Sequence, residues 1–119
     1  MVVVADRGNH RVALWRLSDG TVWKLLGSPD SEPRLFTHPK TVAVTAAGAL
    51  AVTDERRVQV LTVDGAVVFV IDPAVVVCGC HLGPMLYGVT VCVETDEILV
   101  TDRDNNRVLA LTWSMVHFG

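Results

Sequence analysis

The chain has 119 residues, half of them hydrophobic and 19% charged, with a formal net charge of −3. This balance excludes a long disordered segment, which requires low hydrophobicity and high charge. It equally excludes a basic nucleic-acid arm or an acidic tail, and the length suits one domain over residues 1–119.

The first predicted element is the apolar run "VVVA" at 2–5, ended by Asp6. "DRGNHRV" at 6–12 follows as a polar corner, and Arg11-Val12 opens an alternating run over 11–17. Asp19-Gly20 then marks a tight hairpin turn, because Gly accepts the positive φ such turns need. A third run covers 21–27, and a Ser/Pro/Glu-rich connection leads to 40. Short runs at 42–45, 49–53, 58–63 and 66–71 come next, with Asp64-Gly65 as another hairpin signal. Beyond the connection 72–87 lie runs at 88–93, 97–101 and 107–113. Nowhere do apolar residues recur at helical spacing over ten or more positions, so these are ten β-strands and no helix.

The most apolar stretch, "AVVFVIDPAVVVCGC", is broken by Asp72-Pro73 and rich in β-branched residues. It reads as strand, turn, strand rather than a membrane span. No basic, apolar leader precedes the first run, and a cytoplasmic location is the working expectation. The three cysteines are Cys78, Cys80 and Cys92. An odd number with one Cys-x-Cys is no disulfide framework, so buried reduced thiols are expected. "CGCH" gathers Cys78, Cys80 and His81, but a structural zinc needs four ligands and no second pair exists.

The chain repeats itself. "VVVADRGNHRV", "LAVTDERRV" and "ILVTDRDNNRV" place Asp6, Asp54 and Asp102 in register, 48 residues apart. Each Asp ends a Val-rich run, and Arg11, Arg57 or Arg107 opens the next. Calling the four runs of a unit a, b, c and d, the chain reads b-c-d, a-b-c-d, a-b-c. A repeated four-stranded antiparallel unit of this length describes a β-propeller blade. The expectation is therefore an all-β, incomplete propeller of about two and a half blades, with pieces near 1–27, 38–71 and 85–113. Such a chain should be a fragment of a larger propeller or should associate, because it would otherwise expose blade faces and strand edges.

These residues resemble the NHL repeat family. "VADRGNHRV" at 4–12 matches its hallmark almost word for word, and "VTDRDNNRV" at 100–108 matches with Asp104 and Asn106 substituted. "HPKTVAV" at 38–44 and "YGVTV" at 87–91 resemble the start of a repeat, while "TDERRV" keeps only the Asp and Arg. The resemblance covers nearly the whole chain. It implies a propeller, commonly six-bladed, that mostly binds proteins or RNA, with a few enzymes, including a metal-dependent lyase, among its members.

Asp, His and Arg within six residues suggest a small active site. Three copies, only one containing His, argue instead for a structural corner. Asp6, Asn9, Arg11, Asp54, Arg57, Asp102, Asn105 and Arg107 are assigned to the turn. The carboxylates would accept backbone N–H bonds from the turn that follows, and Gly8 or Asp104 would supply a left-handed residue. His10 is expected as a turn residue or packed on the next blade, and His38 as structural. Trp15, Trp23 and Trp113 are expected to pack between blades.

Antiparallel strands put the b–c corners and the long d–a connections on one end and the short turns on the other. Long loops on a rigid scaffold usually carry binding. Arg7, His10, Arg34, Arg56, Arg103 and Asn106 are the candidate partner contacts. Eight basic and eight acidic residues balance on that end, which suits a protein or peptide better than RNA phosphates. The expected function is a non-catalytic protein-binding scaffold without cofactor or metal. The alternatives are a piece of a metal-dependent lyase- or lactonase-like propeller enzyme, with His38 and His81 as the nearby ligands, and an RNA-binding module.

Overall fold

A computed structural model describes residues 1–28, 35–54, 57–71, 76–77, 80–81, 86–92 and 94–111. Alternating Val-rich runs separated by turn residues form antiparallel strands throughout. The first sheet is β1 (Val2–Asp6), β2 (Arg11–Trp15) and β3 (Val22–Leu26), in that order. The second is β4 (Pro39–Val44), β5 (Leu50–Asp54), β6 (Arg57–Leu61) and β7 (Val67–Ile71). A two-residue ladder pairs β8 (Val76–Val77) with β9 (Cys80–His81) in the connection that follows. The third sheet is β10 (Leu86–Cys92), β11 (Glu97–Asp102) and β12 (Arg107–Leu111). The long strands are the ten runs read from the sequence, arranged as the blade pieces b-c-d, a-b-c-d and a-b-c. No α-helix occurs among the described residues, and the sheets do not close into a barrel.

Period-two alternation gives each sheet two faces. On the middle sheet, Leu50, Val52 and Leu61 pack with Val12, Leu14 and Leu26 of the first. The residues between them, Ala51, Val58 and Val60, pack with Ile98, Val100 and Leu111 of the third. The middle sheet is thus buried on both faces, and Leu50, Ala51, Val52, Val58, Val60 and Leu61 are all fully buried. Burial of a Val or Leu side chain contributes about 1.5–3 kcal/mol, so these two contacts dominate the stability.

The outer faces of the terminal sheets stay in water. Val2, Val4, Val22, Trp23 and Leu25 are exposed on the first sheet, and Val108 on the third. Trp15 and Trp23 therefore do not pack between described blades, contrary to the sequence expectation: Trp15 lies on the side of the first sheet that the second does not cover. Trp113 lies outside the described residues.

Threonines at equivalent positions lock strand a of the two sheets that have one. The Thr53 hydroxyl takes the Thr41 N–H at 3.2 Å, and the Thr101 hydroxyl takes the Gly88 N–H at 2.7 Å. Both bonds sit where the β4–β5 and β10–β11 registers shift. Ala5 holds this position in the first sheet, which has no strand a. The hairpin glycines behave as the Asp-Gly pairs predict, with φ of 70° at Gly20 and 93° at Gly65.

Candidate functional site

Each b–c corner is built around one carboxylate. Asp6 and Arg11 are the last register pair of β1 and β2, so the ladder itself sets their side chains side by side. Asp6 Oδ2 accepts from Arg11 Nε at 2.8 Å and from Asn9 Nδ2 at 3.0 Å. Between them Arg7–Asn9 makes one 3₁₀ turn, closed by the His10 N–H donating to the Arg7 carbonyl. The Asn9 amide, and after it the Arg11 guanidinium, hold the Asp6 carboxyl below its ordinary range.

The third corner repeats this geometry. Asp102 Oδ2 accepts from Arg107 Nε and from Asn105 Nδ2, each at 2.9 Å. Arg103–Asn105 is the 3₁₀ turn, and the Asn106 N–H closes it on the Arg103 carbonyl. The Asp102 side chain is fully buried, while that of Asp6 is 29% exposed. The third sheet packs its Asp102 face on the middle sheet, and no described sheet covers the Asp6 face.

The left-handed residue of the corner is His10 at φ 51° and Asn106 at φ 50°, not Gly8 or Asp104 as the sequence suggested. The 3₁₀ turn absorbs Gly8 and Asp104 at ordinary φ, and the chain reverses hand one step before the Arg. Asn suits that conformation through its short side chain. His10 is held there by an external bond: its Nδ1 accepts the His38 N–H at 3.1 Å, and the two rings meet edge to face at 4.2 Å. As an acceptor, Nδ1 carries no proton, so the neutral ring is the Nε2–H tautomer. His10 and His38 therefore join one blade corner to the start of the next blade.

The middle corner is shorter and more deeply connected. Asp54 is fully buried and receives Arg57 through Nε at 3.0 Å and Nη2 at 3.1 Å. It also accepts the Thr37 N–H at 2.8 Å and Gln59 Nε2 at 3.1 Å. Gln59 Nε2 further donates to the Leu35 carbonyl at 2.8 Å. Asp54 thus ties the d–a connection to the blade it leads into. Phe36, in that connection, is fully buried in the first interface. Gly27 lets the connection leave β3 at φ +88°, where a Cβ would stand 2.8 Å from the His10 carbonyl oxygen.

Of the proposed contact residues, Arg7, Arg103 and Asn106 are exposed on the first and third corners, and His10 is partly buried. Arg34 and Arg56 lie outside the described residues, as does Cys78, and nothing is described of the Cys80 and His81 side chains. Cys92 is a partly buried free thiol lowered chiefly by a hydrogen bond with the Thr95 side chain. Among the described residues no group of three or more His, Cys, Asp or Glu is placed to hold a metal ion.

Sequence reasoning missed Gln59, Thr37 and Phe36. Gln59 stands in an otherwise apolar strand, "RVQVL", and a polar residue at a core-facing strand position was the available signal. No protein-family model matches the chain, and no curated protein matches it.

Proposed function

We propose that the chain is a non-catalytic binding scaffold of the NHL-repeat type, presenting its b–c corners and d–a connections to a protein or peptide. One observation carries the reading. Among the described side chains, the Asp and His groups of the corners are bonded to neighbouring side chains or to the backbone. Asp6, Asp54 and Asp102 each accept from the Arg that opens the next strand. These bonds fix the corner; between Asp and Arg the first and third copies differ at Gly8/Asp104 and His10/Asn106, and the middle copy is two residues shorter. Arg7 and Arg103 stand at the same step of two corners and are exposed. A rigid frame with variable polar tips suits recognition of a partner surface.

The test compares capture of cellular partners by the wild type, by Arg7→Glu/Arg103→Glu, and by Ala47→Glu in the exposed turn at the opposite end. A discrete protein retained by the wild type and Ala47→Glu but lost by the double variant supports the reading. Equal retention by all three contradicts it. RNA retention that falls steeply with salt would replace the protein partner by RNA. Zinc or calcium co-purifying at one ion per chain would favour the enzyme reading.

A further inference from the structure

The repeat makes a comparison of equivalent positions possible. The face of a blade that carries its Asp and Arg, here the front, is covered by the back of the preceding blade. Front positions Leu50, Val52 and Leu61 of the middle sheet are fully buried, and so is Val100 of the third. Their counterparts on the first sheet are Val2, Val4 and Trp15, which are 42%, 41% and 37% exposed. On the back, Val58 and Val60 of the middle sheet and Val12 and Leu14 of the first are fully buried. The counterparts on the third sheet are Val108 and Ala110, and Val108 is 64% exposed.

We infer that the back of the third sheet of one copy seats on the front of the first sheet of a second copy, and that two copies close a ring of six blades. The two exposed faces repeat the strand b and strand c parts of a junction that the chain already builds twice internally; in both of those, strand a of the following blade, β4 or β10, also packs on the preceding sheet, and the first sheet has no strand a. They keep apolar residues at the positions that junction buries. Their volumes also offset each other. The front carries Trp15 where the other sheets have Leu61 and Leu111, and the back carries Ala110 where they have Val60 and Leu14. The back is further hollowed by a depression of about 240 Å³ lined by Gly88, Thr90, Leu99, Thr101 and Val108.

Closure follows from number. Propellers close with four to eight blades. The three sheets of the described residues fall short of that range, and two such sets give six. A two-copy ring is a cyclic dimer whose two junctions are identical and heterologous, front to back. The inference uses the blade stack alone and does not depend on what the corners bind.

The test is light scattering and sedimentation across a concentration series, with Val108→Glu on the back and Val4→Glu on the front. Both residues are exposed in the single chain, and circular dichroism checks that each variant keeps its strands. Thr90→Arg, also exposed, is a second probe of the back face. The wild type is expected at twice the 12.9 kDa chain mass. Each variant alone damages both junctions and should raise the dissociation constant by about 30-fold or more. Mixing Val108→Glu with Val4→Glu leaves one junction intact, so the mixture should associate where neither variant does. A folded wild-type monomer overturns the inference and leaves these faces to other blades. A dimer indifferent to Val108→Glu and Thr90→Arg overturns it, as does a mixture that fails to associate.

Discussion

Asp54→Asn is the substitution that most sharply separates the corner described here from an ordinary surface ion pair. The change keeps volume and removes charge. Asp54 is fully buried and accepts two bonds from Arg57, one from Gln59 and one from the Thr37 N–H. Removing one partner of a buried pair costs about 3–5 kcal/mol. The Arg57 side chain is 33% exposed, so water recovers part of its solvation. Gln59 keeps the Leu35 carbonyl as an acceptor. Both facts place the loss near the low end, at about 3 kcal/mol. For a domain of this size that lowers Tm by roughly 10 °C. Urea unfolding with linear extrapolation measures it, at one protein concentration because self-association raises apparent stability. Asp6→Asn, whose carboxylate is partly exposed and accepts only Asn9 and Arg11, should cost clearly less. A loss for Asp54→Asn below about 1 kcal/mol, the range of exposed pairs, would refute the reasoning. So would an equal loss at Asp6.

Three further outcomes are expected. Gly27→Ala should destabilise by about 2 kcal/mol or more, since it combines positive φ with a Cβ driven into the His10 carbonyl. Gly8→Ala should stay within about 0.5 kcal/mol in the same unfolding assay, because Gly8 has ordinary φ and open space around it. Phe36→Ala should cost about 3–5 kcal/mol by loss of packing between the first two sheets, read as a lower urea midpoint. Because Asp6 is held below its ordinary pKa of 3.8, its stabilising effect is complete above that value and is lost as pH falls through the lower folded value. The stability gap between wild type and Asp6→Asn should therefore be flat near neutral pH and close in acid. A gap that widens in acid would contradict the assignment.

The strands were legible because both signals that define a blade are local. Val alternation fixes which residues can share a face, and Asp-Gly fixes where a hairpin reverses. The 48-residue register of Asp6, Asp54 and Asp102 then identified the corners, and the Asp–Arg pairing followed from strand ends that must lie side by side. What escaped was set by contacts between units. Phe36 sits in a Pro- and Ser-rich connection that reads as solvent loop, and only the gap between the first two sheets makes it core. His10 takes the left-handed position because His38, 28 residues on, bonds its ring. Composition favoured Gly8 for that role, since it cannot show that a 3₁₀ turn comes first. Trp15 and Trp23 were assigned to blade interfaces from their strand positions. Their exposure follows from lying on the uncovered side of the first sheet.

The middle blade is covered on both faces by the other two. Methyl nuclear Overhauser spectroscopy measures that directly. The structure predicts contacts from the Leu50 and Leu61 methyls to Leu14 and Leu26 on one side, and from Val58 and Val60 to Ile98, Val100 and Leu111 on the other. Contacts confined within each sheet, with none between β6 and either neighbouring blade, would contradict it.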